Sequence, residues 1–253
     1  MTLSASGRRI LIIGATSLIA QHCARQWAEQ HPAGFVLAGR DASRLEPIAA
    51  DLRVRAPGAG VALIEGDFHT PGGIQGLVEQ AYATGRIDIA LIAHGSLPDQ
   101  AGCQQSLEQA DEALQVNGVS PALFAEAIAG RMARNGYGTL GVIGSVAGDR
   151  GRRSNYVYGA AKGMVTRYVQ GLQHRLAASP VRVTLIKPGP TDTPMTDALR
   201  ERGAKLAPVE TVAAAIVRGM SEGRPVVYAP ARWALIMQVI RHLPRFVFNR
   251  LDI

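Results

Sequence analysis

A doubly wound α/β fold is what this sequence predicts: one parallel sheet of about seven strands with helices on both faces. Three observations carry that reading. Short continuous apolar runs, such as R-I-L-I-I at Arg9–Ile13, alternate with longer helical stretches along the 253 residues. Such runs lack the in/out alternation of a half-solvated strand, so they fit strands buried on both faces. No internal repeat, linker or low-complexity tract interrupts the chain, so residues 1–253 read as one domain. Ala231–Ile253 stands out only as an apolar and basic closing segment of that domain.

The elements follow in order. Arg9–Ile13 is the first strand, Gly14 a tight turn, and a helix runs on to about Glu29. Phe35–Ala38 is the second strand, and residues 42–55 form a helix that ends before Pro57-Gly58. Val61–Glu65 and Ile87–Ala93 are the third and fourth strands. A long helical region spans Leu107–Arg134, followed by a strand at Thr139–Ile143. The helix carrying Tyr158 runs to about Ala178, and strands at Val181–Ile186 and Val226–Tyr228 complete the sheet. Right-handed crossovers place the helices over both faces.

Composition narrows the function. Cys23 and Cys103 form no C-x-x-C pair, so both are expected as reduced thiols in a reducing, cytoplasmic compartment. The start runs directly into a strand, with no signal-peptide pattern expected. No apolar run reaches the roughly 18 residues of a membrane span. The net charge of +7 fits a basic soluble protein, or attraction to an anionic substrate, cofactor or membrane surface. Basic residues are not interleaved with aromatics, so nucleic-acid binding is not expected. The histidines His22, His31, His69, His174 and His242 show no ligand spacing, so no metal site is expected.

Open parallel sheets bind ligands beyond the carboxyl ends of their strands. Gly14-Ala15-Thr16-Ser17 lies there, ahead of a helix whose free amides suit phosphate. Arg40 follows the second strand with no carboxylate just before it. Arginine at this edge suits a ribose 2′-phosphate, so NADP(H) is favoured and NAD(H) is the alternative. Arg40 as an exposed loop charge is the other reading. Asp67 suits an adenine amine or a loop cap. Ala93-His94-Gly95 ends the fourth strand, where backbone passes close to a ribose.

The chemistry concentrates at Y-G-A-A-K, Tyr158 to Lys162, with Ser145 thirteen residues earlier. Tyrosine and lysine at i and i+4 share one helix face. An ammonium beside a phenol stabilises phenolate and draws its pKa down from about 10. Ser145, after the apolar run Leu140–Gly144, is placed to hydrogen-bond the same oxygen. Such a phenol exchanges a proton with a carbonyl or alcohol oxygen. A solvated surface pair is the other reading of Y-x-x-x-K.

Together the G-A-T-S turn, Asp67, A-H-G, Asn117 in L-Q-V-N-G, Ser145, Y-G-A-A-K and P-G-P-T-D-T resemble the short-chain dehydrogenase/reductase family across essentially the whole chain. The resemblance implies a Rossmann-type fold and a catalytic tetrad of Asn117, Ser145, Tyr158 and Lys162. Tyr158 would donate a proton to a ketone oxygen that Ser145 orients. Lys162 would tune Tyr158 and hold the nicotinamide ribose, and Asn117 would support a bridging water. Asn117 as a helix-kink or core asparagine is the alternative. The implied cofactor contacts are Gly14, Thr16, Ser17, Leu18, Ile19, Arg40, Asp67, Phe68, Ala93, His94, Gly95, Tyr158, Lys162, Pro188, Gly189, Thr191 and Thr193. The family turn G-x-x-x-G-x-G reads Gly14, Leu18, Ala20 here, and its N-A-G reads A-H-G. Both departures touch cofactor geometry and leave the proton-transfer groups in place.

A narrower likeness lies in S-V-A-G-D-R-G-R-R-S-N-Y-V-Y-G-A-A-K, K-P-G-P-T-D-T-P-M-T and L-P-R-F-V-F-N-R-L. These resemble the decaprenylphosphoryl-2-keto-erythro-pentose reductase branch, which implies a lipid-linked keto-sugar substrate. Arg150, Arg152 and Arg153, between Ser145 and Tyr158, suit a phosphorylated substrate because guanidinium pairs with phosphate bidentately. A solvated loop, or pairing with Asp149 at a subunit contact, is the other reading. The closing segment sets Trp233, Leu235, Ile236, Met237, Val239 and Ile240 among Arg232, Arg241, Arg245 and Arg250. It suits peripheral contact at the inner membrane face or cover for a lipid tail, or a helix packed on the core or on a subunit. The family likeness also implies a homodimer or homotetramer. Three functions stay open: reduction of a lipid-linked or phosphorylated 2-keto-sugar, turnover of another small alcohol or ketone, and NADP(H)-binding regulation without turnover.

Overall fold

A computed structural model describes residues 6–251. The first five residues and the last two of the closing segment lie outside the described residues. The chain runs β1 (Arg9–Ile13), α1 (Leu18–Ala28), β2 (Gly34–Gly39), α2 (Ala42–Arg55), β3 (Gly60–Glu65), α3 (Pro71–Ala83) and β4 (Ile89–Ile92). It continues with α4 (Gln100–Gln105), α5 (Leu107–Leu114), α6 (Ser120–Asn135), β5 (Thr139–Ile143), α7 (Tyr156–Arg175) and β6 (Arg182–Pro188). The last elements are α8 (Asp197–Glu201), α9 (Val209–Ser221), β7 (Val226–Ala229), α10 (Arg232–His242) and α11 (Arg245–Phe248).

All seven strands pair in parallel, in the order β3-β2-β1-β4-β5-β6-β7. The doubly wound fold is as expected. The strand order reverses between β1 and β4, and a crevice opens at their carboxyl ends. Burial follows the apolar runs. Ile10 and Ile12 pack with α1, α2 and α9 on one face, while Leu11 and Ile13 pack with α3, α6 and α7 on the other. Alternate residues of one strand therefore feed two cores, which is why β1 has no polar position after Arg9.

Two long helices add to the sequence expectation. α3 starts at a Thr70 cap, whose side chain accepts from the Gly73 amide, with Pro71 in its first turn. α9 buries Val209, Val212, Ala213, Ile216, Val217 and Met220 at helical spacing, mostly against α1 and the sheet. The expected helix over Leu107–Arg134 is broken. α5 ends at Leu114, a π-helical turn covers Gln115–Val119, and α6 follows. The fourth strand is shorter than expected, and α7 stops at Arg175.

Candidate active site

Two adjoining cavities lie along the carboxyl edge. The larger, of about 490 Å³, is lined by Gly14, Thr16, Ser17, Leu18, Ile19, Arg40, Phe68, Ala93, His94, Gly95 and Thr193 among others. The smaller, of about 150 Å³, is lined by Ser145, Tyr158, Lys162, Pro188, Gly189, Thr191 and Thr193, again with others. Ser17, Ile19, Ala93, His94, Gly95 and Thr193 border both.

The larger cavity fits a dinucleotide. Gly14 has φ +79°, and a Cβ there would lie 2.6 Å from His94 Cβ and 2.7 Å from the His94 amide nitrogen. Only glycine lets β1 turn this close to β4. α1 begins at Ser17 with no side-chain cap and no acidic residue in its first turn, so its amino end presents donors to an anion. Arg40 is exposed at the far end, and Arg44, which the sequence reading missed, lines the cavity beside it. Asp41 is no rival for a ribose hydroxyl, because its carboxylate caps α2 through the Ser43 amide at 2.9 Å. The capping pattern at Asp41 was the available signal for Arg44, three residues into that helix.

Asp67 does not line either cavity. Its carboxylate accepts from the His69 amide at 2.7 Å, the Thr70 amide at 3.1 Å and the Thr70 hydroxyl. These bonds hold it below the ordinary carboxylate range. These bonds are those of a loop cap, the second of its two sequence readings. His94 turns its ring into the core between Phe68 and Phe124, with Nε2 and Ser120 Oγ 2.8 Å apart. Burial drives its pKa down to about 3, so the ring is neutral.

The smaller cavity gathers the proton-transfer candidates. Ser145 follows β5, just before the 3-10 turn Val146–Asp149, and Tyr158 and Lys162 sit on α7, whose first turns pack on that turn. Lys162 is buried, and its ammonium donates to the Ile143 carbonyl at 3.2 Å while standing 5.7 Å from the Tyr158 ring centre. Burial lowers its pKa to about 8. The expectation that Lys162 draws the Tyr158 pKa down is corrected here. Burial pushes the phenol up to about 12, and a hydrogen bond from Ser145 opposes this only in part. Desolvation outweighs a cation that is itself desolvated.

Asn117 lines neither cavity and is fully buried on the π turn. Its Oδ1 accepts from the Ser96 amide at 2.9 Å, and its Nδ2 donates to the Ala113 carbonyl at 3.0 Å. A Cβ on Gly95 would approach Asn117 Oδ1 at 2.9 Å and Lys162 Nζ at 3.5 Å, so these two groups flank Gly95. Among the threonines, Thr191 donates to the Gly189 carbonyl at 2.9 Å, which holds the loop after β6 in shape.

The three loop arginines part company. Arg150 donates to the carbonyls of Ile240 at 2.6 Å and Leu243 at 2.8 Å, and stacks on Phe248 at 3.7 Å. It therefore anchors the closing segment and is corrected as a substrate contact. Arg153 is exposed and outside the cavity lining. Arg152 alone lines the smaller cavity, together with Asn155, which the sequence reading also missed. Asp149 pairs with Lys187 and accepts from the Tyr228 hydroxyl at 2.8 Å.

Comparison with known proteins accords with this geometry. The pattern of the short chain dehydrogenase family matches residues 8–204. An uncharacterized oxidoreductase of Streptomyces coelicolor is 34% identical over 256 residues, covering 99% of each chain. One of Mycobacterium tuberculosis is 35% identical over 252 residues, covering 96% of each. A short-chain dehydrogenase from Sphingobium yanoikuyae, solved in complex with NADPH, superposes with a TM-score of 0.81 at 25% identity, covering 97% of this chain and 96% of that one. The chain belongs to the short-chain dehydrogenase family and is one of its NAD(P)-dependent oxidoreductases.

Proposed function

We propose that this chain reduces a ketone to a secondary alcohol with NADP(H). The observation that carries the reading is the half-buried Tyr158 phenol beside the buried Lys162 and Ser145 in one cavity. A phenol held near pKa 12 keeps its proton at neutral pH, which suits a proton donor to a carbonyl oxygen. Ser145 orients that oxygen, Lys162 supplies positive charge behind the phenol, and Asn117 fixes the loop carrying Gly95. The nicotinamide cofactor, when bound, supplies the hydride. Gly14, Thr16, Ser17 and the α1 amino end would hold its pyrophosphate. Arg40 and Arg44 at the cavity's far end favour the 2′-phosphate form, and the NADPH bound by the Sphingobium yanoikuyae enzyme supports this choice.

The finer reading is a lipid-linked or phosphorylated 2-keto-sugar, as in the decaprenylphosphoryl-2-keto-erythro-pentose reductase branch. Arg152 in the cavity supports a phosphorylated ligand. Leu235, Val239 and Phe246 are exposed on α10 and α11 among Arg232, Arg241, Arg245 and Arg250. That surface supports peripheral contact with an anionic membrane face. No helix among the described residues is long and apolar enough to cross a membrane. Two unpaired, buried cysteines support a cytoplasmic location, and exposed Tyr156 and Met164 on α7 support a homodimer or homotetramer through that helix.

Fluorescence titration with NADPH and NADH, followed by a panel of neutral and phosphorylated ketones, tests the reading. NADPH oxidation with at least one ketone is expected. Cofactor binding without any turnover would favour the regulator instead. Flotation with vesicles containing about one-third anionic lipid tests the surface. Binding to them, lost in Leu235→Ser/Phe246→Ser, is expected; equal binding to neutral vesicles, or none, overturns the membrane reading.

A further inference from the structure

Arg152 occupies an unusual position for a guanidinium. It sits in the loop after the Val146–Asp149 turn and lines the same 150 Å³ cavity as Ser145, Tyr158 and Lys162. Its Nε is buried without a hydrogen-bond partner. One terminal nitrogen reaches the Met237 sulfur at 3.6 Å, a weak acceptor. Burial works against its charge, and Asp149 is the carboxylate that favours it. Asp149, however, already serves Lys187 and Tyr228. Met237 is fully buried, so α10 forms the wall that desolvates Arg152. A desolvated guanidinium without a full set of acceptors is costly unless an anion completes it.

Asn155 adds a second, independent mark. It lines the same cavity, and its Oδ1 is buried without a partner. An unpaired donor and an unpaired acceptor on one cavity match a ligand that carries both an oxyanion and a hydroxyl. The planar fork of arginine favours phosphate oxygens over a point contact.

We propose that Arg152 and Asn155 form a substrate subsite for a hydroxylated ketone phosphate, Arg152 taking the phosphoryl oxygens and Asn155 a substrate hydroxyl. The proposal rests on the ketone-reductase reading and names its substrate class. Arg150 has no part in the subsite, because it is spent on the α10 carbonyls. The shared chemistry is a phosphoryl group, either a free phosphomonoester or the diester of a lipid-linked sugar.

The test compares dihydroxyacetone with dihydroxyacetone phosphate, which differ only by the phosphate. In the wild type with NADPH, the phosphorylated ketone is expected to show the lower KM. Arg152→Met, whose side chain keeps the packing against Met237, is expected to raise that KM at least about tenfold, the scale of a lost charged hydrogen bond. The KM of dihydroxyacetone stays unchanged, and Arg152→Lys recovers part of the loss. Equal changes for both ketones, or no preference in the wild type, overturn the proposal. Asn155→Ala is expected to raise both KM values, since both ketones carry hydroxyls; no change removes Asn155 from the subsite. The dodecyl phosphodiester of dihydroxyacetone then separates the sources. A KM below that of the monoester identifies a lipid-linked substrate, and one above it a free sugar phosphate.

A calorimetric titration with inorganic phosphate keeps the subsite separable from the reductase reading. Wild type and Arg40→Ala are expected to bind phosphate at the subsite, and Arg152→Met is not. If no ketone is turned over but this pattern holds, the reaction is wrong and the subsite stands. If Arg152→Met binds phosphate as Arg40→Ala does, the subsite is wrong.

Discussion

The two cavities on the sheet edge meet charge in opposite ways. The larger presents Arg40 and Arg44 in water at its far end, and otherwise relies on backbone amides at the amino end of α1. The smaller buries Lys162 and shields Arg152 behind α10. Exposed cations are screened by salt. Buried ones shift their pKa, need specific partners and ignore salt. Changes around the smaller cavity should therefore be large and salt-independent, and changes at Arg40 small and salt-dependent.

The largest break is Tyr158→Phe. It removes one hydroxyl from a buried site and is expected to lower kcat by about 10²–10⁴. Cofactor affinity, set mostly in the other cavity, should stay within about twofold of wild type. Unchanged turnover in this variant would remove Tyr158 from the proton-transfer role.

The pH profile sharpens the contrast within the smaller cavity. Lys162 titrates near 8, below its ordinary value of 10.5, whereas the phenol holds its proton to about 12. As pH rises through about 8, the lysine loses its charge before the tyrosine loses its proton. Carbonyl reduction should therefore decline above about 8 with a single group titrating, while NADPH stays bound. The same shift has a stability sign. The unfolded chain holds the lysine proton up to about 10.5, so Lys162 costs stability at neutral pH and costs less as pH climbs from about 8. A rate plateau that runs past pH 10 would show that the Lys162 charge is not required.

Packing supplies the next effect. A Cβ at Gly189 would fall 2.0 Å from Trp233 Nε1, so the indole of α10 rests on bare backbone after β6. Gly189→Ala is expected to cost about 1–3 kcal/mol, the usual scale of overpacking. The melting temperature should drop by about 2–10 °C. Trp233→Ala in the same chain should restore part of that loss, because the two changes touch. Additive losses would mean that the tail does not pack on Gly189.

What the sequence made legible follows from locality. β1, β2 and β5 are largely continuous apolar runs, and Tyr158–Lys162 is an i, i+4 pair, so each needs only its own neighbours. α9, which the sequence reading did not place, carried the same kind of local signal, since its six buried apolar side chains recur at helical spacing. α3 was masked by Gly72, Gly73 and Gly76, which weaken helix propensity, although Thr70-Pro71 marks its start. The π turn under Asn117 has no local signature. The three arginines after Asp149 look alike in sequence, and only α10, about ninety residues on, separates them: it takes Arg150 at its carbonyls and Arg152 against Met237. The height of the Tyr158 pKa was hidden for the same reason. Spacing places a lysine beside it, but desolvation comes from the whole cavity.

Arg40 carries the smallest effect and the sharpest test of the exposed half. Its side chain is exposed at the cavity's end, so its pairing with a 2′-phosphate would resemble a surface ion pair. Such pairs contribute at most about a fivefold change in affinity. Arg40→Ala should weaken NADPH by about that factor and leave NADH unchanged, with Arg44 holding part of the preference. Raising salt from about 0.05 M to about 1 M shortens the screening length from roughly 14 Å to 3 Å. The wild-type preference for NADPH should shrink over that range, and the variant's should hardly move. Over the same range the effect of Arg152→Met on dihydroxyacetone phosphate should persist, because that guanidinium is partly buried, with its Nε shielded and one terminal nitrogen against Met237. A salt response equal at both arginines would erase the distinction between the two cavities.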